Sequence, residues 1–468
     1  MLAKVAFLSV LSGFSMSTDR TTHAARHSRA IPVFSAWPMV FATLLLDASA
    51  LALPQESAPK IARATLPAEL ALLTDEEVAR IARMSPLPPL AADATNRFAD
   101  NVDAARFGQR LFFEKRFSPA GVSCATCHDP ARAFTDGRPL AQGIGETRRN
   151  SPTVLDAGRR RWLGWDGKFD SLWSQALSPI ENPVEMGSDR ATVLRTIRDD
   201  AELRTQYEAV FGAFPSELSA ASTDPLHVGT QRTEAQQKSV DQTTANVLKA
   251  LGAYQRKLTS GEAPIDRAVA ALKAGQAVAA SDLDSSALRG MAIFVSRGGC
   301  YQCHRGPSFT DEEFHNLGFT GANGRVADDP ARLAAVDFVK ANPWNAAGAF
   351  SDAPSSPKGQ MVRALRRSGE LFGQFRTPPL RSVAQTSPYM HDGRLGTLAD
   401  VVRFYDTLEG ASPVGHHGEA VLEPLGLTEG ERADLVRFLE SLSGKTPNLE
   451  WTRDPSVSEA RTSPTSER

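Results

Sequence analysis

Leu398, Val401, Val402 and Tyr405 share one face at i, i+3, i+4, i+7 spacing, which predicts an amphipathic helix beginning at Leu398. Thr397 stands at its N-cap, and Asp400 completes a capping box. Ser171 before Leu172 predicts a second helix start, and Thr428 with Glu431 a third helix, reaching Leu442 and ending before Gly444. Ile31 to Leu46 is mostly apolar but too short for a confident membrane span. With Arg26 and Arg29 before it and Ala50-Leu51-Ala52 after it, it predicts a cleaved signal segment over residues 1–52 and a periplasmic product. An uncleaved anchor is the other reading, and the long stretch before Ile31 leaves the start codon open. Residues 53–92 are Ala/Pro-rich and read as a linker with one short helix. Residues 215–244 read as a polar loop insertion or linker, and 451–468 as a disordered tail.

The chain has four cysteines, and two motifs use all of them: Cys124-Ala-Thr-Cys127-His128 and Cys300-Tyr-Gln-Cys303-His304. C-x-x-C-H is the attachment pattern of c-type haem, in which two thiols bond the porphyrin and the adjacent His ligates iron. A pair of redox or zinc C-x-x-C motifs, each followed by a chance His, is the plainer alternative. The stretches around the motifs repeat one another. Gly108-Gln-Arg-Leu-Phe112 precedes the first and Gly290-Met-Ala-Ile-Phe294 the second; Phe134-Thr-Asp136 and Phe309-Thr-Asp311 follow. Ser151-Pro152 then matches Thr377-Pro378, and Asp166-Gly167 matches Asp392-Gly393. The expected fold is mainly α: two cytochrome c-like haem domains related by internal duplication, with long loops, over residues 93–255 and 256–450.

Without residues 1–52 the chain carries 48 basic and 52 acidic side chains, a formal charge of −4 that gives no reason to expect nucleic acid as a partner.

Equivalent positions in the repeat differ in chemistry. Tyr405 lies thirteen residues after Asp392, and the matching residue after Asp166 is Pro179. If that position faces iron, one haem meets a phenol and the other a group that cannot ligate. An ordinary half-buried core tyrosine is the bland reading of Tyr405. No His lies between His128 and His227, so the first haem has no local distal His. Met186 is a candidate ligand there, but neighbouring Glu185 suggests a polar pocket. A pure electron carrier closes both axial positions, whereas a catalyst leaves one open. Trp165 and His391 occupy equivalent positions before Asp-Gly; each is either packing or, between two haems, a path for electrons.

These residues resemble the bacterial dihaem cytochrome c peroxidases and their relative MauG, over residues 93–445. The resemblance rests on both C-x-x-C-H motifs, Arg149-Asn-Ser-Pro-Thr153, Trp165-Asp-Gly167, Gln175 with Glu185, Thr386-Ser-Pro388 and Tyr389-Met-His-Asp-Gly393. It implies a peroxidatic first haem and an electron-transfer second haem. Glu185 and Gln175 would be the distal polar pair, with Glu185 moving a proton and Gln175 orienting peroxide; Glu181 is the alternative carboxylate. Trp165 would lie between the haems. Asn150, Thr386 and Pro388 would bind one calcium ion, partly through backbone carbonyls. Two departures from the ordinary peroxidases point to a MauG-like subgroup: residues 129–149 contain no His, and Tyr405 stands where the second haem's distal Met is usual. His128 would then ligate the first iron, and His304 with Tyr405 the second.

Three functions compete. A peroxidase would reduce hydrogen peroxide with electrons from a small periplasmic cytochrome c or cupredoxin. A maturase would oxidise side chains of a protein substrate. A dihaem electron carrier would do no chemistry, against which the open first haem and the Gln175/Glu185 pair argue. The peroxidase is the favoured reading, and a homodimer is among the assemblies the resemblance allows.

Overall fold

Two helix crossings organise the molecule, and each closes on a glycine. Asn101 caps helix α1 (Val102–Phe112), its side chain accepting from the Ala104 N–H. Gly108 on α1 lies against α3 (Glu234–Gln255), where an added Cβ would stand 2.0 Å from the Ala250 carbonyl oxygen. Asp284 caps α4 (Ser285–Val295), whose Gly290 lies against α6 (Glu429–Glu440) with an added Cβ 2.0 Å from the Asp434 carbonyl oxygen. Only glycine allows backbones this close. Thr233 and Thr428 start α3 and α6 with complete capping boxes. Two further helices are α2 (Leu172–Glu181), capped by Ser171 and packed against Gly252 of α3, and α5 (Leu398–Thr407), capped by Thr397 with Asp400.

The computed structural model describes residues 60–219, 224–319, 329–411, 422–445 and 447–459. The expected signal segment and cleavage site, and residues 460–468 of the expected tail, lie outside the described residues. Residues 57–468 form one unit, mainly helical. Its one sheet among the described residues is a pair of two-residue antiparallel strands, Phe314–His315 and Phe375–Arg376, with Phe314 opposite Arg376. No helix among the described residues is long and apolar enough to cross a membrane.

The segments 150–165 and 376–391 meet at a junction, and two large apolar cores surround the helix crossings. One gathers Phe107, Phe112, Phe134, Trp173, Leu248 and Tyr254; the other Met291, Phe294, Phe309, Val402, Phe438 and Leu442. The backbones around them meet reciprocally. The Asn150 N–H donates to the His391 carbonyl (2.8 Å), and the Arg376 N–H donates to the Trp165 carbonyl (2.8 Å). Asn150 and Arg376 occupy matching positions in the expected repeat, as do Trp165 and His391.

Three expectations about connecting segments are corrected. The stretch read as a linker with one short helix does hold a short helix, Asp75–Ala82, but it is no linker: it sends Ile61, Leu70, Leu73, Val78, Ile81 and Met84 into the second core. The polar stretch 215–244 contains the first turns of α3, because Thr233 and Gln236 cap it and apolar burial begins only at Val240. Residues 451–459, the described part of the expected tail, are not loose: Trp451 docks on Tyr254, and the buried Gln109 amide donates to the carbonyls of Glu450 (2.8 Å) and Arg453 (3.0 Å). In the zone between Asn316 and Gly373, Trp344 enters the first core.

Candidate functional site

Cys124 and Cys127 sit on one helical turn, Cys124–Cys127, at whose start the Ser123 N–H donates to the Thr126 hydroxyl (3.0 Å); both thiols are free. His128 follows, and its Nδ1 lies 3.2 Å from the Phe134 carbonyl. A carbonyl only accepts, so Nδ1 carries the proton and Nε2 is the nitrogen left to ligate. The loop that supplies this carbonyl is held by the Thr153 hydroxyl donating to Ala133 O (2.6 Å) and by Ser151 donating to Cys127 O (2.8 Å). Burial lowers the affinity of His128 for a second proton.

Burial also pushes the Cys124 thiol up to about 12 and Cys127 to about 11, and the Glu185 carboxylate adds to both. Glu185 therefore faces the first motif. It stands on a turn after α2, where the Asn182 amide donates to its Oε1 (2.6 Å). The His-free loop 129–149 clamps that turn: the N–H groups of Ile144 and Gly145 donate to the carbonyls of Glu185 and Val184 (both 2.9 Å). Gly143 packs so closely that a Cβ there would stand 2.5 Å from the Glu185 carbonyl oxygen. Gln175 lies half-buried on α2. Glu181 is drawn away by Arg190, whose Nε donates to it at 2.8 Å. Met186 is buried in the first core.

The second motif repeats the proximal geometry. His304 Nδ1 lies 2.9 Å from the Phe309 carbonyl, which again leaves Nε2 to ligate. Tyr405 is the eighth residue of α5, as Pro179 is of α2. Burial raises the Tyr405 phenol, and the Cys300 and Cys303 thiols raise it further, so it faces the second motif. Its hydroxyl has no hydrogen-bond partner among the described residues. Beside Cys303, His315 bonds Asp311 (3.0 Å), and these three residues bring their ligating atoms within 4.8 Å of one another.

At the junction the Trp165 indole N–H donates to the Asn150 carbonyl (2.9 Å), and the Asn150 amide donates to Arg138 O (2.7 Å). Asn150 Oδ1 and the carbonyls of Thr386 and Pro388 accept no hydrogen bond among the described residues. Such free neutral oxygens suit a hard cation. The free thiol pairs, the Nε2-facing histidines and the partnerless phenol likewise suit two covalent haems.

Asn182, which holds Glu185, has no signal in the sequence, because an amide in a turn is marked out only by its neighbours in the fold. Arg149 was read only as part of a motif; it bonds Asp166 (2.6 Å) and Asp329 (2.8 and 3.0 Å) across the junction. Asp329 carried no signal.

Residues 102–274 match the family model described as di-haem cytochrome c peroxidase. The chain is 32% identical to the cytochrome-c peroxidase IdrP1 of Denitromonas iodatirespirans, over 75% of this chain and 84% of that protein. It is 33% identical to the methylamine utilization protein MauG of Methylorubrum extorquens, over 64% and 67% respectively. Among solved structures it resembles the diheme peroxidase BthA of Burkholderia thailandensis, with a TM-score of 0.56 and 22% identity over 79% of this chain and 90% of that one. That likeness concerns the fold. A mainly helical protein with two C-x-x-C-H motifs is thereby placed among the two-haem c-type proteins. The chain belongs to the di-haem cytochrome c peroxidase/MauG family, which implies two c-type haems and a peroxidase-type oxidoreductase.

Proposed function

We propose that this protein is a periplasmic dihaem peroxidase that reduces hydrogen peroxide to water at an open first haem, with electrons entering through a His/Tyr-ligated second haem. One contrast carries the reading: a clamped carboxylate, Glu185, faces the first motif, whereas the phenol of Tyr405 faces the second. The matched glycine crossings and reciprocal junction bonds support an origin by duplication. On that reading equivalent helices present Pro179 to one haem and Tyr405 to the other.

Bound at Cys124 and Cys127 with His128 as ligand, and at Cys300 and Cys303 with His304, haem c supplies the redox chemistry. The chain's residues manage protons and geometry. Glu185 takes a proton from the inner oxygen of peroxide and returns it to the outer one, so that water leaves. Asn182 holds one carboxylate oxygen and thereby aims the other. Gln175 orients peroxide by hydrogen bonding. The Phe134 and Phe309 carbonyls make each proximal imidazole a stronger donor by drawing on its N–H. Tyr405 as a phenolate would be a hard anionic ligand that favours oxidised iron. Trp165, tied to both sides of the junction through its indole and its carbonyl, is the candidate electron path. Asn150, Thr386 and Pro388 would hold one calcium ion. A small cytochrome c or cupredoxin would be the donor.

A maturase acting on a protein substrate would share this chemistry, and the MauG relative supports it as the second reading. A methylamine dehydrogenase operon around the gene would favour it.

The first test is an EPR and electronic spectrum of the diferric protein, then one equivalent of peroxide. A high-spin and a low-spin haem with immediate reaction are expected. Two low-spin haems that ignore peroxide until half-reduced would overturn the open first haem. Glu185→Gln should slow peroxide cleavage by about 10²–10⁴-fold with both haems attached; an unchanged rate in stopped flow removes Glu185 from the mechanism. Tyr405→Phe should convert the second haem to high spin, and an unaltered EPR spectrum would remove Tyr405 as a ligand.

A further inference from the structure

The segment 448–453 lies across the first core and brings a tryptophan to it. Trp451 is half-buried, and its ring centroid is 6.4 Å from that of Tyr254. Tyr254 is fully buried and stands 5.1 Å from Phe112, which in turn is 6.5 Å from the His128 imidazole. The relay is held rather than grazing: the Tyr254 hydroxyl donates to the Trp451 carbonyl (2.7 Å), and Gln109 donates to the carbonyls on either side. The Cys124 thiol also acts on the Tyr254 phenol, so this side chain reaches the attachment point of the first haem.

We propose that Trp451 is a surface one-electron oxidation site, joined to the first haem pocket through Tyr254 and Phe112, at which small phenolic reductants deliver electrons without passing through the second haem. This rests on the peroxidase reading above.

The residues suit the task unequally. The Tyr254 hydroxyl faces a carbonyl, which is too weak a base to take its proton, so Tyr254 is a bridge and not an endpoint. The Trp451 indole N–H has no partner among the described residues, and its half-exposed ring can lose that proton to water. The Arg106 guanidinium lies 4.0 Å over the Trp451 ring and opposes positive charge on it, which favours proton loss on oxidation. Glu450 pairs with Arg106 and keeps it in place.

Each transfer moves one electron from the indole to the peroxide-oxidised first site and one proton from the indole nitrogen to water. A neutral indolyl radical remains. A phenol then returns one electron and one proton and becomes a phenoxyl radical. Two such cycles supply the two electrons and two protons that convert one hydrogen peroxide to two waters.

The test compares the dihaem protein with Trp451→Phe, which keeps a ring under Arg106, using hydrogen peroxide and either p-cresol or a reduced cytochrome c as donor. Turnover with p-cresol should fall roughly tenfold in the variant, equivalent to about 1.4 kcal/mol of barrier, while turnover with cytochrome c stays the same. Peptide mapping after peroxide without donor should find oxygen added at Trp451. Equal p-cresol turnover in the two proteins overturns the proposal, as does a native protein whose Trp451 stays unmodified. A fall with both donors assigns Trp451 to structure and also overturns it. A native protein inert to peroxide overturns the peroxidase reading together with this one, whereas the other failures leave that reading standing.

Discussion

His391 shows how one side chain at the junction reports on its surroundings. Its ring stacks on Phe375 at 3.7 Å and 13°. Burial, reinforced by Arg149 and Arg394 and opposed by Asp392, pulls its pKa down to about 4. An unfolded histidine titrates near 6.5, so the unfolded chain takes up this proton first. Stability therefore falls as pH drops from about 6.5 to about 4 and then levels, with a loss of at most about 3 kcal/mol. His391→Phe keeps a ring against Phe375 and should flatten that part of the curve. Thermal unfolding of both proteins across the window checks it; parallel curves would assign the acid sensitivity elsewhere. At this scale residue type alone marked out candidates, as in the two cysteine pairs and their histidines. Asn182 and Tyr254 were not legible, because an amide in a turn and a tyrosine in a long helix look like thousands of others until their neighbours are known.

Helices meet their neighbours at points where the sequence offers little volume. Gly290→Ala would drive a methyl into the Asp434 carbonyl, and neither backbone can yield without unseating Phe438, which lies 2.9 Å from the same added Cβ. A loss of about 1–3 kcal/mol or more is expected, read as a lowered urea midpoint. Gly108→Ala should cost about as much, because it meets the Ala250 carbonyl in the same way. Start signals were the readable part of each helix: Ser171, Thr397 and Thr428 cap where expected, since capping is local chemistry. The beginning of α3 was hidden in a polar stretch because its first two turns face water. The segment 451–459 was hidden for the same reason. Its composition is that of a tail, and a single tryptophan with three backbone carbonyls docks it.

Across the whole molecule, Arg149 ties Asp166 beside Trp165 to Asp329 in the later part of the chain, and its guanidinium also lies over Phe375. Arg149→Ala strands Asp166, largely buried, without its partner and should cost about 3–5 kcal/mol. Denaturant unfolding followed by tryptophan fluorescence measures that loss, and Arg149→Lys should recover only part of it, since an ammonium cannot match a bidentate fork. An Arg149→Ala protein of native stability would mean that the reciprocal backbone bonds hold the junction alone.

The two C-x-x-C-H motifs, the matching stretches around them and the helix starts were already in the order of the residues, because each depends on near neighbours along the chain. Which carboxylate faces the first motif, which loop clamps it, and that a supposed linker and a supposed tail belong to the two cores depended on contacts between residues far apart. Glu181 and Glu185 illustrate the division. Both were candidates by type, and only packing sends one to Arg190 and the other to the thiols of the first site. Local patterns carry no information about which distant partner will neutralise a charge or cover an apolar face, and the folded chain alone makes that choice.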